Sequence, residues 1–304
     1  MDLKELAQMF SRKAQANRIQ RVVVILGLPR SGTTLAAAVL DSHPQCTGCF
    51  EPWNAGVVSA SRPRLSIEEL FQAPRVGIGK REALEALLSR DRRMFIGNTL
   101  VIKETSVHQQ GIKWTGELLS ALPGHIEKHL LWSVRRLSNT YLSHIHRSRS
   151  WWGRDVSISV ESYEQWTSRS LTSIGEILRV LGQHNGMAYS YAALCNDPQG
   201  FLERLMPHLG LAFEAQQLEY FNAGNGKIRG DRNVKFNPQQ VSSSFELKRQ
   251  QEWEACRELL SQSRLDPARR EIDSHITGLD SLGIDLDRNW VGSLKEGVLG
   301  QDGP

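Results

Sequence analysis

No stretch of the chain is apolar over the roughly 20 residues that a membrane-spanning helix requires. The first residues also lack the basic-then-apolar order of a secretory signal, so a cytoplasmic location without a membrane span is expected. Neither sign of charge dominates, because 37 basic residues face 33 acidic ones and leave a net charge of +4. This excess is too small to indicate nucleic-acid binding by charge alone, and no nucleic-acid partner is expected.

Cysteine is scarce, with 4 residues in a chain of 304. Cys46 and Cys49 form one CxxC pair, but no second CxxC or His pair accompanies it in the sequence, which argues against a structural zinc site. Free thiols in a reducing compartment are expected, and a redox-sensitive Cys46–Cys49 pair is the alternative. Clusters of Asp and His at metal-ligand spacing are missing as well, so no metal is expected.

Apolar and β-branched residues are concentrated in short runs that alternate with helical patterns. Strands are predicted at about 21–27, 99–103, 129–134 and 188–194, whereas the proline-rich segment 43–80 is predicted to be irregular. Strands that alternate with helices imply a parallel sheet with right-handed crossovers. The predicted fold class is therefore α/β, with a central parallel sheet flanked by helices.

One domain is expected over the whole chain, 1–304, because no internal repeat or low-complexity linker divides it. A helix is predicted within residues 1–20, where apolar residues recur at helical spacing. The Gly-rich end, 291–304, is expected to be a flexible tail.

The segment 28–34, Leu-Pro-Arg-Ser-Gly-Thr-Thr, joins the first predicted strand to the helix that follows. In such a P-loop-like strand–loop–helix, the N–H groups of the turn and the positive end of the helix both point at an anion. Gly27 and Gly32 have the G-x-x-x-x-G spacing of nucleoside-triphosphatases, but Thr33 stands where the Walker lysine belongs. The cation lies inside the turn instead, as Arg30, so a phosphate-like group is expected without the usual lysine and magnesium.

This loop resembles the 5′-phosphosulfate loop of sulfotransferases that use PAPS (3′-phosphoadenosine 5′-phosphosulfate). The residues that follow its helix, Leu-Asp-Ser-His-Pro at 40–44, are similar to the Leu-x-x-His-Pro ending of tyrosylprotein, carbohydrate and bacterial members. The resemblance implies that Arg30, Ser31, Gly32, Thr33 and Thr34 contact the 5′-phosphosulfate of PAPS.

A second anchor lies at the end of the strand predicted at 129–134. Arg135 follows this strand, and Ser143 follows Arg135 after seven intervening residues. An arginine at a strand end can clamp a phosphate through two parallel hydrogen bonds, and a serine two turns into the next helix can add a hydroxyl donor. This pair resembles the 3′-phosphate motif of the same family, although Arg136-Leu137 replaces its usual Asp-Pro.

A third segment, Gly-Asn-Gly-Lys-Ile-Arg-Gly-Asp-Arg at 224–232, is Gly-rich and basic. It resembles the late loop that closes over the 3′-phosphate and the adenine in these enzymes. Lys227, Arg229 and Gly230 are the candidates for contact with PAPS, since glycine lets backbone N–H groups approach an anion closely. An exposed loop without a ligand is the alternative.

The resemblance also implies the roles of residues in the reaction. Arg30 and Lys103 would stabilise the charge that develops on the leaving phosphate, as cations do in phosphoryl transfer. Lys103 has an alternative role as the salt-bridge partner of Glu104. Thr105 stands where cytosolic members carry a catalytic histidine. Glu51 is the candidate base, because it lies seven residues beyond Pro44, where tyrosylprotein and carbohydrate members carry an acidic residue; a helix cap or an ion-pair partner is its alternative role. His108 is the second candidate base and Glu104 the third.

The sequence thus predicts a PAPS-dependent sulfotransferase that acts on a hydroxyl or amine of a small-molecule metabolite or glycan, with PAP (3′,5′-ADP) as the product. Two competing interpretations remain. A kinase or NTPase of the P-loop class would carry a Walker lysine and an apolar strand ending in Asp. A non-catalytic PAP-binding protein would bind the nucleotide without transfer. Transfer to oxygen or nitrogen and assembly as a homodimer both stay open.

Overall fold

The computed structural model describes residues 19–50, 98–105, 109–122, 124–152, 156–220 and 243–299. The helix predicted within 1–20, apart from its last two positions, lies outside the described residues. So do Glu51, His108 and the Gly-rich segment 224–232, and the predictions made for them stay predictions.

The described part of the chain alternates strands with helices along most of its length. The strands are β1 (Arg21–Gly27), β2 (Cys46–Phe50), β3 (Thr99–Thr105), β4 (Glu127–Val134) and β5 (Met187–Ser190). The helices are α1 (Thr33–Asp41), α2 (Gln109–Ala121), α3 (Leu137–Trp152), α4 (Val160–Gln183), α5 (Tyr191–Asn196), α6 (Pro198–His208), α7 (Ser243–Leu260), α8 (Asp266–Leu282) and α9 (Asn289–Leu299). A 3₁₀ helix, Ala215–Glu219, follows α6.

The five described strands form one sheet in the order β2-β3-β1-β4-β5. β2 and β3 pair in parallel, with a register that runs from Cys46 opposite Thr99 to Phe50 opposite Lys103. This arrangement confirms the predicted α/β class with a parallel sheet flanked by helices. The chain runs from β1 to one edge of the sheet and then returns to the other side of β1 at β4. Such a reversal is where ligands bind in open α/β sheets, beyond the carboxyl ends of the strands.

Continuous apolar runs explain the central strands. Residues 22–26 of β1 are each 0% exposed, so both faces of this strand are covered and no polar alternation is needed. β3 is likewise buried along its full length. Both strands were predicted, and β3 extends two residues further than expected, to Thr105.

The chain divides into two compact units. The first unit comprises Met1–Leu26, Thr33–Leu131 and Met206–Asn237, and the second comprises Gly27–Gly32, Trp132–Leu205 and Pro238–Pro304. The prediction of one domain over 1–304 stays a prediction.

In the first unit, the turn after α1 is fixed by a histidine with a defined tautomer. The Gln45 N–H donates to His43 Nδ1 at 3.1 Å, so Nδ1 is unprotonated and Nε2 carries the hydrogen. That Nε2 donates to the Ala212 carbonyl, also at 3.1 Å. A proton on Nδ1 would break the contact with Gln45, and burial further lowers the pKa of His43 below its ordinary value of 6.5.

We expect acidification to destabilise the protein partly through His43. Because the folded pKa of His43 lies below the unfolded one, the unfolded state takes up the proton first, and stability falls as pH drops from about 7 to 5. Urea unfolding at both pH values should show a smaller loss for His43→Gln than for the unsubstituted protein. His129, whose pKa burial also lowers, keeps part of the dependence. An equal pH-dependent loss in both proteins would contradict this role of His43.

Aromatic side chains form part of the core of the second unit. Tyr141 on α3 and Tyr163 on α4 meet edge to face, with ring centroids 5.2 Å apart. Trp253 on α7 packs against Tyr163 at 5.9 Å. All three side chains are buried. Such ring pairs add stabilisation of about 1 kcal/mol each beyond their buried area, and they fix α3 against α4 and α7.

Three sequence-based predictions are corrected by the structure. The segment 43–80 is not irregular throughout, because β2 lies within it. The strand predicted at 188–194 ends at Ser190, since the Ser190 hydroxyl accepts from the Ala193 N–H and begins α5 there. The expected tail at 291–304 is helical up to Leu299, as part of α9.

The redox pair considered for the two neighbouring cysteines does not fit this conformation. Cys46 and Cys49 lie three residues apart on β2, which separates their Cα atoms by about 10 Å. A disulfide spans at most roughly 7 Å between Cα atoms. Cys46 is also buried, and burial raises the pKa of its thiol to about 12, so the reactive thiolate is disfavoured.

Among the described helices, none combines the length and the apolar character that crossing a membrane requires.

Candidate functional site

The turn between β1 and α1 holds two residues in the left-handed backbone region. Gly32 has φ +93° and Arg30 has φ +76°. Glycine, which has no Cβ, adopts this conformation at little cost. In an arginine the Cβ causes steric strain of about 1 kcal/mol or more. Because Arg30 is also exposed, packing does not explain its presence. A non-glycine residue in this backbone region is uncommon and marks the loop as a candidate functional site.

Two arginines converge at the carboxyl ends of β1 and β4, and both lie in the second unit. Arg30 Nε donates to the Ser143 hydroxyl at 3.2 Å. Arg135 Nη1 donates to the Arg30 carbonyl at 2.8 Å. Hydrogen bonds thus connect the loop after β1 directly to the β4–α3 junction. The sequence placed Arg30 in one phosphate anchor and Arg135 and Ser143 in another, and the structure brings these residues into one cluster.

Tyr191, the first residue of α5, completes this cluster, which we call the double-arginine site (Arg30, Arg135, Ser143 and Tyr191). The Arg135 guanidinium lies over the Tyr191 ring, 4.7 Å from its centroid. The same ring lies against Gly32, where an added Cβ would be only 2.0 Å from Tyr191 Cδ2. Tyr191 falls within the strand predicted at 188–194 and was not among the predicted site residues. Its position directly after a β-strand was the available signal.

The loop also contributes a buried hydroxyl, that of Ser31, which makes no hydrogen bond to the described part of the chain. Ser31 is 2% exposed, and its Oγ has no hydrogen-bond partner among the residues that the structure describes. Its backbone is fixed, because the Ser133 hydroxyl donates to the Ser31 carbonyl at 2.8 Å. A buried hydroxyl without a partner costs about 1–3 kcal/mol. This donor, in the same loop as Arg30, fits an oxyanion such as a phosphate or a sulfate.

A cavity of about 280 Å³ opens beside Arg135, again within the second unit. Its lining mixes polar and apolar surface and consists of Arg135, Arg136, Asn139, Ala192, Asn196, Leu247, Gln250 and Asp280. The cavity thus places open volume next to one of the two arginines.

The remaining described candidates lie in the first unit. Lys103 and Glu104 are both buried near the end of β3, each 2% exposed. As consecutive strand residues they point to opposite faces of the sheet, which argues against the salt bridge considered for them. Glu104 Oε1 instead accepts from the Thr105 N–H at 3.2 Å. Thr33 and Thr34 begin α1, with Thr33 buried and Thr34 half-buried.

Five predicted site residues lie outside the described ranges: Glu51, His108, Lys227, Arg229 and Gly230. Within those ranges, no group of three or more His, Cys, Asp or Glu side chains is arranged to hold a metal ion.

A family model described as "Sulfotransferase family" matches residues 22–215, well over half of the chain. Among solved structures, the chain is similar to the sulfotransferase domain from the curacin biosynthetic pathway. The identity is 17%, the TM-score is 0.52, and the match covers 85% of this chain and 98% of that one. This likeness supports the fold alone.

Two further solved structures match with lower TM-scores. Sulfotransferase STF1 from Mycobacterium tuberculosis has 16% identity, a TM-score of 0.44, and coverage of 80% of this chain and 81% of its own. Mouse sulfotransferase SULT7A1 complexed with PAP has 14% identity, a TM-score of 0.42, and coverage of 87% and 95%. A comparison with curated proteins finds no match.

Proposed function

We propose, from the premise that this chain belongs to the sulfotransferase family, that it transfers a sulfuryl group from PAPS to a hydroxyl or amine. Family membership confirms the resemblance that was inferred from the sequence motifs. The acceptor is a small-molecule metabolite or a glycan. One observation supports PAPS as the donor: the double-arginine site joins a phosphate-type loop to a second arginine at the point where the strand order reverses.

The donors of this site match the two anionic groups of PAPS. In our proposal, the 5′-phosphosulfate is held by the loop residues Arg30, Ser31, Gly32, Thr33 and Thr34. The 3′-phosphate is held by Arg135 and Ser143, with Lys227, Arg229 and Gly230 as further proposed contacts. The buried Ser31 hydroxyl without a described partner fits this assignment, because an anion would supply the acceptor that it lacks. The hydrogen bond from Arg30 to Ser143 holds the two side chains together.

The proposed reaction is an in-line displacement at sulfur. PAPS supplies the sulfuryl group: the bond from sulfur to the acceptor forms as the bond from sulfur to the 5′-phosphate oxygen breaks, and that oxygen keeps the electron pair. Arg30 and Lys103 stabilise the charge on the leaving oxygen by electrostatic attraction. Glu51 accepts the proton of the acceptor, with His108 and Glu104 as alternative bases.

Nucleotide selectivity tests the proposed donor. We expect PAP to raise the melting temperature and to bind in calorimetry, with about 2.7 kcal/mol of stabilisation when PAP is at 100 times its Kd. ATP with magnesium should have a much smaller effect, because the loop has no Walker lysine. A larger shift with ATP and magnesium would favour a P-loop kinase or NTPase instead. If PAP binds but radiolabelled PAPS labels no acceptor in a broad panel, the chain is a PAP-binding protein without transfer activity.

The proposed base is tested by Glu51→Gln. This substitution keeps the size of the side chain but removes its ability to accept a proton, so we expect kcat to fall about a hundredfold while PAP affinity stays unchanged. Steady-state kinetics with an identified acceptor and calorimetry with PAP check both parts. The matched substitution His108→Gln should leave kcat close to that of the unsubstituted enzyme. The reverse pattern would move the role of base to His108.

A further inference from the structure

Helix α8 carries three aspartates at seven-residue intervals: Asp266, Asp273 and Asp280. Seven residues are close to two helical turns, so these carboxylates lie along one face of the helix. α8 begins well beyond residue 215, where the match to the family model ends. Even so, Asp273 and Asp280 contact residues immediately next to the double-arginine site in the second unit.

Asp273 holds the start of α3. Its Oδ1 accepts from the Leu137 N–H at 2.6 Å, and Leu137 is the first residue of α3. Arg135 lies two residues before this point, and Ser143 lies six residues after it. A carboxylate at a helix N-terminus is favourable, because it satisfies a free N–H group and faces the positive end of the helix. Asp273 therefore fixes the segment that carries both proposed 3′-phosphate contacts.

A buried charge network keeps Asp273 in place. Arg269 Nη1 lies 3.2 Å from Asp273 Oδ2, and Arg269 Nη2 lies 2.6 Å from Asp266 Oδ1. The Arg269 guanidinium also lies over the Trp253 ring, 5.0 Å from its centroid. Burial raises the pKa of Asp273, whereas Arg269 and the Leu137 N–H favour the carboxylate form. Removing one partner of such a buried ion pair leaves the other as an uncompensated buried charge.

Asp280 holds the other side of the site. Its Oδ2 lies 3.4 Å from Arg136 Nε, and Arg136 is the residue directly after Arg135. Its Oδ1 accepts from the Ser190 hydroxyl, which in turn accepts from the Ala193 N–H at the start of α5. Ser190 directly precedes Tyr191, whose ring lies under Arg135. One carboxylate thus ties together the two segments that bring Arg135 and Tyr191 into contact.

We propose that α8 positions the double-arginine site, with Asp273 fixing the start of α3 and Asp280 fixing Arg136 and Ser190. Both aspartates are positioning residues that act through Arg135, Ser143 and Tyr191. The ligand in this inference rests on the proposed function, but the positioning does not. Preorganised phosphate donors bind more tightly, because less side-chain order has to be created on binding.

The test compares Asp280→Ala with Glu271→Gln, a control on the same helix whose carboxylate lies beside Gly297 of α9. We expect Asp280→Ala to weaken PAP binding about tenfold in calorimetry, and the control to leave it unchanged. Asp280→Asn should restore part of the affinity, because its amide oxygen can still accept from Ser190. Arg136→Ala should weaken binding in the same way. The double substitution Arg136→Ala/Asp280→Ala should be no worse than Asp280→Ala alone, since Asp280→Ala already removes the ion pair with Arg136.

A second readout needs no ligand. Amide hydrogen exchange of the folded, ligand-free Asp280→Ala protein should be faster in segments 28–33 and 137–141 than in the control, and unchanged in β1. Asp273→Ala should accelerate exchange at the start of α3 in the same way, because no side-chain oxygen is left to accept from the Leu137 N–H. Unchanged exchange in both segments would overturn the proposal, as would unchanged PAP affinity in Asp280→Ala when the unsubstituted protein binds PAP. If the unsubstituted protein does not bind PAP, the proposed function fails, and exchange alone decides whether α8 positions the site.

Discussion

Gly32→Ala is expected to destabilise the protein by about 4 kcal/mol and to abolish PAP binding. Two independent costs add up at this position. Alanine is strained at φ +93°, and its Cβ would lie 2.0 Å from Tyr191 Cδ2, well inside van der Waals contact. Since the Tyr191 ring lies under Arg135, relief of the overlap would displace Arg135 as well. Urea unfolding and calorimetry with PAP measure the two effects separately.

The two costs can be separated by a second substitution. Tyr191→Ala in the Gly32→Ala background removes the overlap but leaves the backbone strain, so part of the lost stability should return. Gly278→Ala is the matched control: Gly278 lies within α8, and a Cβ there would have no atom within 4 Å. It should stabilise the protein by about 0.5–1 kcal/mol, because alanine is the better helix former. A Gly32→Ala protein as stable as the unsubstituted one would refute the packing described for the loop.

Arg135→Ala is expected to weaken PAP binding about a thousandfold, the loss typical of truncating one partner of a buried charge pair. Arg135 is 6% exposed, so no solvent cation can readily take its place. The substitution also removes the hydrogen bond to the Arg30 carbonyl and uncovers the Tyr191 ring. We therefore expect Arg135→Ala also to lower the free energy of unfolding by about 1–2 kcal/mol, less than Gly32→Ala does. Urea unfolding without ligand measures this loss.

Two further variants complete this test: one separates charge from geometry at position 135, and the other is a control at an exposed arginine. Arg135→Lys keeps the charge but loses the planar fork, so it should recover only part of the affinity. Arg257→Ala removes an arginine that is 68% exposed and paired with Glu254 on α7, and should leave PAP binding unchanged. Normal PAP affinity in Arg135→Ala would remove the central support for the proposed function.

The strands that place the site were predictable because their chemistry is local. Residues 22–26 of β1 form an unbroken β-branched and apolar run, and such a run inside an α/β pattern indicates a buried parallel strand. β2 was missed because its sequence, Cys-Thr-Gly-Cys-Phe, contains a glycine and stands among prolines. Its pairing with β3 stabilises it, and pairing across 50 residues leaves no local signal.

The site was predictable in its residue types but not in its connections. Arg30, Arg135 and Ser143 were found from motif spacing alone. The contact between Arg30 and Ser143 was not, since it joins residues 113 positions apart. Tyr191 was assigned to a strand because its aromatic neighbours favour β-structure, and the N-cap at Ser190 outweighed that preference. The seven-residue spacing of aspartates in α8 was visible in the sequence, but a charged stripe on a helix usually faces solvent.

The contacts made by α8 bear on how such a chain can be shortened or grafted. A gene cut back to the span that the family model recognises would still encode every proposed phosphate ligand in the strand–loop–helix and at the end of β4. It would lack Asp273 and Asp280, and with them the contacts to Leu137 and Arg136 next to the double-arginine site. If the phosphate-binding loops were grafted onto another scaffold, the proposed ligands would be transferred, but the α8 contacts that hold them in position would not. A minimal donor-binding fragment of this protein therefore needs both ends of the sequence, with the middle contributing the arginine-bearing strand, its helix and the β5–α5 junction that carries Ser190 and Tyr191.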